Sequence, residues 1–125
     1  MIVGIGVDLA EVDRIRDALE RPSTGARFRA RVFTAGEQAY CERRRRKYES
    51  YAARFAAKEA VAKALGAPPG LRWADVEIVH DQAGRPGLMV QGTVADAARR
   101  LGVRRWHVSL THDGGVSVAF VVAEG

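Results

Sequence analysis

Asp8 is the first residue whose setting asks for chemistry. It stands in an apolar run, Gly4-Ile5-Gly6-Val7-Asp8-Leu9, on the side that carries two glycines. A carboxylate away from water needs a cation or hydrogen-bond donors, because a lone buried charge is costly. A strand end in solvent or an ion pair with an arginine satisfies it as well as a metal does. The second group is Arg54-Phe55-Ala56-Ala57-Lys58-Glu59-Ala60-Val61-Ala62-Lys63. Glu59 and Lys63 are four apart and share one helix face, and Arg54 and Lys58 share another stripe at the same spacing. Surface pairing at roughly 0.3–0.5 kcal/mol accounts for such charges. The sharper reading is a carboxylate for a metal beside cations for phosphates. The third group is Ser109-Leu110-Thr111-His112-Asp113, at a strand end beside Gly114-Gly115. Such ends often hold functional groups, although Asp and Gly also make a purely structural turn. Adjacency of Ser, His and Asp does not give triad geometry.

Other chemistries lack their residues. No Walker-type phosphate loop, dinucleotide glycine fingerprint or Cys/His zinc spacing occurs. The available metal donors are hard oxygens, which favour Mg²⁺, with Mn²⁺ an alternative. The formal net charge is +5 and the pI about 10, so the surface attracts polyanions or acidic proteins. No apolar run reaches the roughly 18 residues of a membrane span. The first residues have no basic leader, so they do not read as a signal peptide. Cys41 is the lone cysteine; it forms no internal disulfide, and the cytoplasm is the expected compartment.

The elements that must position these groups follow from periodicity. Ile2 to Leu9 reads as a strand, with Ile5, Val7 and Leu9 as its core-like face. Its other face, Gly4, Gly6 and Asp8, leaves room for something to approach the backbone. Glu11 to Leu19 reads as a helix, and Pro22 to Gly25 as a break. Arg27 to Val32 fits no single type. Thr34 and Glu37 form a capping-box pattern, so a helix starts near Ala35. The basic block Arg43 to Lys47 follows. A long alanine-rich helix spans about Ser50 to Leu65, stopped by Gly66 with Pro68 and Pro69 behind it. Val76 to His80 and Leu88 to Val90 read as a hairpin. Thr93 to Leu101 reads as a helix opened by Thr93 and Asp96 as an approximate capping box. Trp106 to Leu110 and Val116 to Val122 read as strands joined at Asp113-Gly114-Gly115. Hairpins with segregated helices predict an α+β fold, an antiparallel sheet with packed helices, over one domain spanning 1–125.

Together the three groups resemble the holo-[acyl-carrier-protein] synthase family, the small bacterial 4′-phosphopantetheinyl transferases. Gly4 to Asp8 resembles its first motif, Arg54 to Gly66 its central helix motif and His107 to His112 its C-terminal strand motif, in matching order across essentially the whole chain. The resemblance implies transfer of the 4′-phosphopantetheine arm of coenzyme A to a serine of an apo acyl carrier protein. It implies Mg²⁺ ligands at Asp8 and Glu59, and catalytic residues at Glu59, Lys63 and His112. Glu59, a water on the metal and Asp113 are candidates for the base that deprotonates the serine. Coenzyme A contacts are implied for Arg45, Arg46, Arg54, Lys58, Lys63, Gly66, Thr111 and His112. Arg14, with Arg21 or Arg27, falls where the family meets the acidic carrier protein. A homotrimer with sites between subunits is implied. The loop Gly66-Ala67-Pro68-Pro69-Gly70 departs from the Gly-Thr-Gly often found there, so its contacts do not carry over. The competing class is a basic nucleic-acid-binding module, supported by the pI and the Arg43 to Lys47 block. It lacks RRM, KH or zinc-finger signatures and is poor in aromatics, so neither a nucleic acid nor a membrane is an expected partner.

Overall fold

The computed structural model describes residues 1–125. The chain runs β1 (Ile2–Glu11), α1 (Val12–Glu20), α2 (Gly25–Val32), α3 (Ala35–Glu42), α4 (Lys47–Ala64), β2 (Val76–His80), β3 (Pro86–Val90), α5 (Gly92–Leu101), β4 (Arg105–Asp113) and β5 (Val116–Glu124). A short 3₁₀ turn at Trp73–Asp75 leads into β2. β1, β5 and β4 form an antiparallel sheet in that order, while β2 and β3 form a separate hairpin. The α+β expectation holds, and the untyped Arg27 to Val32 stretch is helical, within α2.

The sheet is built around one close approach. Gly4 and Gly6 lie under α4, where an added Cβ would stand 1.9 Å from the Ala64 carbonyl oxygen and 1.8 Å from that of Ala60. The helix presents small residues here: Ala56, Ala57, Ala60, Val61 and Ala64 are all buried. β5 answers with Ala119, Val121 and Ala123, each fully buried. Backbone-to-backbone packing of this kind needs glycine on one side and alanine on the other.

The same packing reverses the predicted faces of β1. The glycine face is the inner one. Ile5, Val7 and Leu9 point away from α4 and are 54%, 52% and 59% exposed. Val7 pairs with Phe120, itself 44% exposed, so the outer sheet face carries a contiguous apolar patch. Apolar side chains are not sufficient to mark a protomer's interior when glycine lets a helix sit closer on the other side.

Two caps differ in outcome. At α3 the capping box forms: Thr34 Oγ1 accepts from Glu37 N at 3.1 Å, and Glu37 Oε1 accepts from Thr34 N at 2.9 Å. At α5 it does not. Gln91 is the N-cap and makes no side-chain cap bond. Thr93 instead donates through N and Oγ1 to Asp75 Oδ2 at 2.9 and 2.7 Å, and Asp96 pairs with Arg99. A carboxylate from the preceding turn outcompetes the local acid.

Candidate active site

Asp8 and Glu59 reach one place from two elements. Asp8 continues the glycine side of β1, two residues past Gly6, and Glu59 precedes the Ala60 that Gly6 touches. Lys63, one helical turn beyond Glu59, donates to Asp8 Oδ1 at 3.0 Å and to the Val7 carbonyl at 3.1 Å. The Asp8 side chain is 17% exposed and that of Lys63 52%. Burial first, and then the charge of Asp8, push the Glu59 carboxyl above the usual range, with Lys63 opposing. Two carboxylates held near one another, one of them raised by burial and by its neighbour's charge, are a natural seat for a cation. No cluster of three or more His, Cys, Asp or Glu gathers anywhere in the chain, and Mg²⁺ characteristically takes only one or two carboxylates beside substrate phosphates. The donor set fits Mg²⁺ or Mn²⁺ and falls short of a structural zinc site.

The second assembly is a basic cleft of about 410 Å³ between the start of α4 and the end of β4. It brings together Arg45, Arg46, Arg54, Thr111 and His112, five of the residues expected to contact coenzyme A. Tyr40, Arg44 and Glu49 line it as well. Glu49 lies 3.6 Å from Arg46 and 3.5 Å from His112 Nδ1, which ties the helix to the strand. Neither Tyr40 nor Glu49 was singled out by sequence. The Tyr40–Arg44 pair was visible as an i,i+4 spacing, whereas the Glu49–His112 contact spans 63 positions and has no local signal.

The two assemblies are separate within one chain. Arg54 and Lys63 are nine residues apart on α4, about 13 Å along its axis. Asp8 and Leu110 both pair with Ala119, so Asp8 lies two strand spacings from β4, about 10 Å. Gly66 ends α4 with φ of 81°, at the Lys63 end and not the Arg54 end. Asp113 is exposed at the tip of β4, level with Glu11 rather than Asp8.

Lys58 is a correction. Its side chain is 1% exposed and its ammonium lies 2.8 Å from the buried carboxylate of Glu37. It also donates to the Trp73 and Val76 carbonyls. Burial pulls this ammonium below the ordinary lysine range, and Glu37 opposes the shift. The capping acid of α3 thus doubles as the partner of a core lysine, and its Oε2 also accepts from Ile78 N at 2.9 Å. With its donors spent on α3 and β2, Lys58 belongs to the core and is withdrawn from the phosphate contacts.

Arg14 is 81% exposed, paired only loosely with Glu11 at 3.8 Å. Arg21 and Arg27 are exposed on the same α1–α2 unit. Arg14 rims an apolar groove of about 400 Å³ lined by Leu9, Ile15, Ala18, Phe28 and Phe55.

Comparison with known proteins identifies the family and the fold. The family model described as the 4′-phosphopantetheinyl transferase superfamily matches residues 4–121. A holo-[acyl-carrier-protein] synthase of Anaeromyxobacter dehalogenans is 56% identical over 100% of this chain and 98% of its own. Among solved structures, the holo-[acyl-carrier-protein] synthase of Neisseria meningitidis superposes with a TM-score of 0.83 at 31% identity, covering 100% of both chains. The Bacillus anthracis enzyme, solved in complex with CoA (3′,5′-ADP), gives 0.78 at 33% identity over 98% of this chain and 96% of that one. The chain belongs to the 4′-phosphopantetheinyl transferase superfamily, in its holo-[acyl-carrier-protein] synthase family of enzymes.

Proposed function

We propose that this enzyme transfers the 4′-phosphopantetheine arm of coenzyme A to a serine of an acidic apo acyl carrier protein and releases 3′,5′-ADP. The observation that carries the reading is the meeting of Asp8 and Glu59 across β1 and α4, with Lys63 bonded to Asp8. Asp8 and Glu59 are the ligands assigned to Mg²⁺, with Mn²⁺ able to replace it. When bound, the ion supplies positive charge against the diphosphate as negative charge shifts to the leaving group. Lys63 orients Asp8 and offers its one remaining donor to a phosphate oxygen. The serine Oγ–phosphorus bond forms and the bond to the bridging oxygen breaks, so 3′,5′-ADP carries that oxygen away. Glu59 accepts the serine proton, directly or through one water. Arg45, Arg46, Arg54, Thr111 and His112 hold the nucleotide phosphates.

Two half-sites on one protomer call for a second copy. We assign a homotrimer in which the carboxylate half-site of one subunit meets the basic cleft of the next. The exposed Ile5, Val7, Leu9 and Phe120 supply apolar surface for the association. Residues 1–125 act as one transferase domain. Lone, buried Cys41 suits a reducing compartment, and we place the reaction in the cytoplasm. No helix is long and apolar enough to cross a membrane.

The test is mass spectrometry of apo carrier proteins incubated with coenzyme A and Mg²⁺. A gain of one phosphopantetheine arm is expected, and an unmodified carrier overturns the proposal. Carrier docking has its own test. Arg14 sits between an apolar groove and solvent, which suits the acidic, amphipathic surface of a carrier helix. Arg14→Glu is expected to raise the carrier KM about tenfold at low salt while leaving the coenzyme A KM within about twofold. The wild-type advantage should shrink as salt rises. Equal rises in both constants count against docking through α1.

A further inference from the structure

Arg54 is the anomaly of the basic cleft. It is 3% exposed, and Nη1 donates to the Ser50 carbonyl at 3.1 Å. Nε and Nη2, both buried, have no hydrogen-bond partner. These two nitrogens form one edge of the guanidinium, the side-on fork that takes two oxygens of a phosphate. Buried donors left unmade are expensive, so the fork is held in readiness by something other than its own bonds.

What holds it is a stack of flat groups from four segments. The Arg54 Cζ lies 4.1 Å from the centroid of the Tyr40 ring. Tyr40 stacks on His80, with centroids 4.8 Å apart and planes 7° from parallel. Arg44 Cζ is 4.2 Å from the same tyrosine ring, and Arg44 donates to its hydroxyl. α3, the basic turn, α4 and the end of β2 thus meet at one tyrosine.

The charges around His80 are one-sided. α4 supplies Arg54 and the basic turn supplies Arg44. β3 faces it with uncharged Pro86, and α3 with the neutral phenol of Tyr40. The one acid is its chain neighbour Asp81, whose Oδ1 already accepts from Ala83 N and Arg85 N. Burial, then Arg54 and Arg44, hold the imidazole below the ordinary histidine range, with Asp81 opposing. His80 is therefore neutral at pH 7 while the cleft is empty of anions.

We propose that Tyr40 and His80 are a stacked positioning pair that aims the Arg54 fork at a phosphate of the substrate, and that His80 takes up a proton as that phosphate arrives. The inference rests on the reading of this cleft as the nucleotide-phosphate site. A dianion on Arg54 cancels the cationic contribution to the lowered imidazole, while burial, the larger cause, persists. Protonation then adds a cation behind the tyrosine, and substrate and proton bind with mutual reinforcement.

The direct test follows the imidazole signals of the full chain by NMR from pH 5 to 8, with and without saturating 3′,5′-ADP, using His80→Phe to assign them. The expected result is an upward move of the His80 midpoint by about 0.5–1 pH unit on adding the nucleotide. An unmoved midpoint, or no response of any histidine to 3′,5′-ADP, overturns the proposal. Steady-state kinetics separates positioning from proton uptake. Tyr40→Leu and His80→Ala, checked for a native melting transition, should raise the coenzyme A KM about tenfold with kcat within about twofold. His80→Phe keeps the stack, so its KM should match wild type at pH 8 and lack the extra tightening seen in wild type toward pH 6. Unchanged KM in Tyr40→Leu, or equal pH profiles for wild type and His80→Phe, sinks the pair as a device. Wild-type protein that binds 3′,5′-ADP but modifies no carrier would refute the transfer reading alone, since the NMR arm needs only the nucleotide.

Discussion

Gly6→Ala is expected to destabilise the protein by about 4–5 kcal/mol or to prevent folding altogether. The new methyl carbon would stand 1.8 Å from the Ala60 carbonyl oxygen, 2.8 Å from its carbon and 3.0 Å from Ala64 N. All three are backbone atoms inside α4, so no side chain can swing aside. Relief requires lifting the helix from β1, and that opens the seam filled by Ala119, Val121 and Ala123. Close-packed interiors do not absorb such a shift cheaply. Gly4→Ala meets the Ala64 carbonyl oxygen at 1.9 Å and should behave alike. Gly87→Ala is the control. Its Cβ meets only Val79 Cγ2, at 3.8 Å, and stability should stay within about 1 kcal/mol of wild type. Denaturant titration of the three variants decides the matter. A Gly6→Ala midpoint equal to that of Gly87→Ala would contradict the packing described.

The second large effect is chemical. Asp8→Asn and Glu59→Gln are each expected to lower carrier modification by about 10²–10³-fold or more, the range found when a group stabilising transition-state charge is removed. Folding should survive. The Glu59 carboxyl is pushed up in the folded state, so the folded protein binds that proton more tightly than the unfolded chain does. The resulting penalty is absent well below pH 4.5, grows as pH rises through that unfolded value and is complete above the raised folded value. Glu59→Gln removes it, so at pH 7 its melting temperature should equal or exceed that of wild type without metal. Mg²⁺ should raise the melting temperature of wild type and leave Glu59→Gln unmoved. The same linkage predicts that Mg²⁺ affinity falls as pH drops toward the Glu59 midpoint, because proton and metal compete for one carboxylate. Full turnover by either variant would remove the metal assignment.

What could be foreseen divides by the range of the interaction. The α3 cap was legible because Thr34 and Glu37 are three residues apart. The end of α4 was legible in Gly66 and the prolines behind it. The Asp8–Glu59 meeting was not a local pattern and came through resemblance of whole motifs. The second bond of Glu37, to Lys58, was invisible because it joins α3 to α4 across 21 positions. The face of β1 was misassigned for a physical reason. Side-chain alternation reports where apolar groups lie, whereas the inner face here is chosen by absence of side chains at Gly4 and Gly6. Thr93 was assigned to a local cap because Asp96 lies three residues on, yet Asp75 reached it first through the chain's return.

Cys41 sits fully buried at the last turn of α3, and burial raises its thiol to about 11. At pH 7 about one molecule in ten thousand carries it as thiolate, the form that attacks disulfides or alkylating agents. An enzyme that handles a substrate ending in a free sulfhydryl is exposed to oxidised forms of that substrate. This chain offers them no nucleophile with which to form a mixed adduct. Iodoacetamide, or the disulfide of coenzyme A, should therefore leave both mass and turnover unchanged until the fold itself opens.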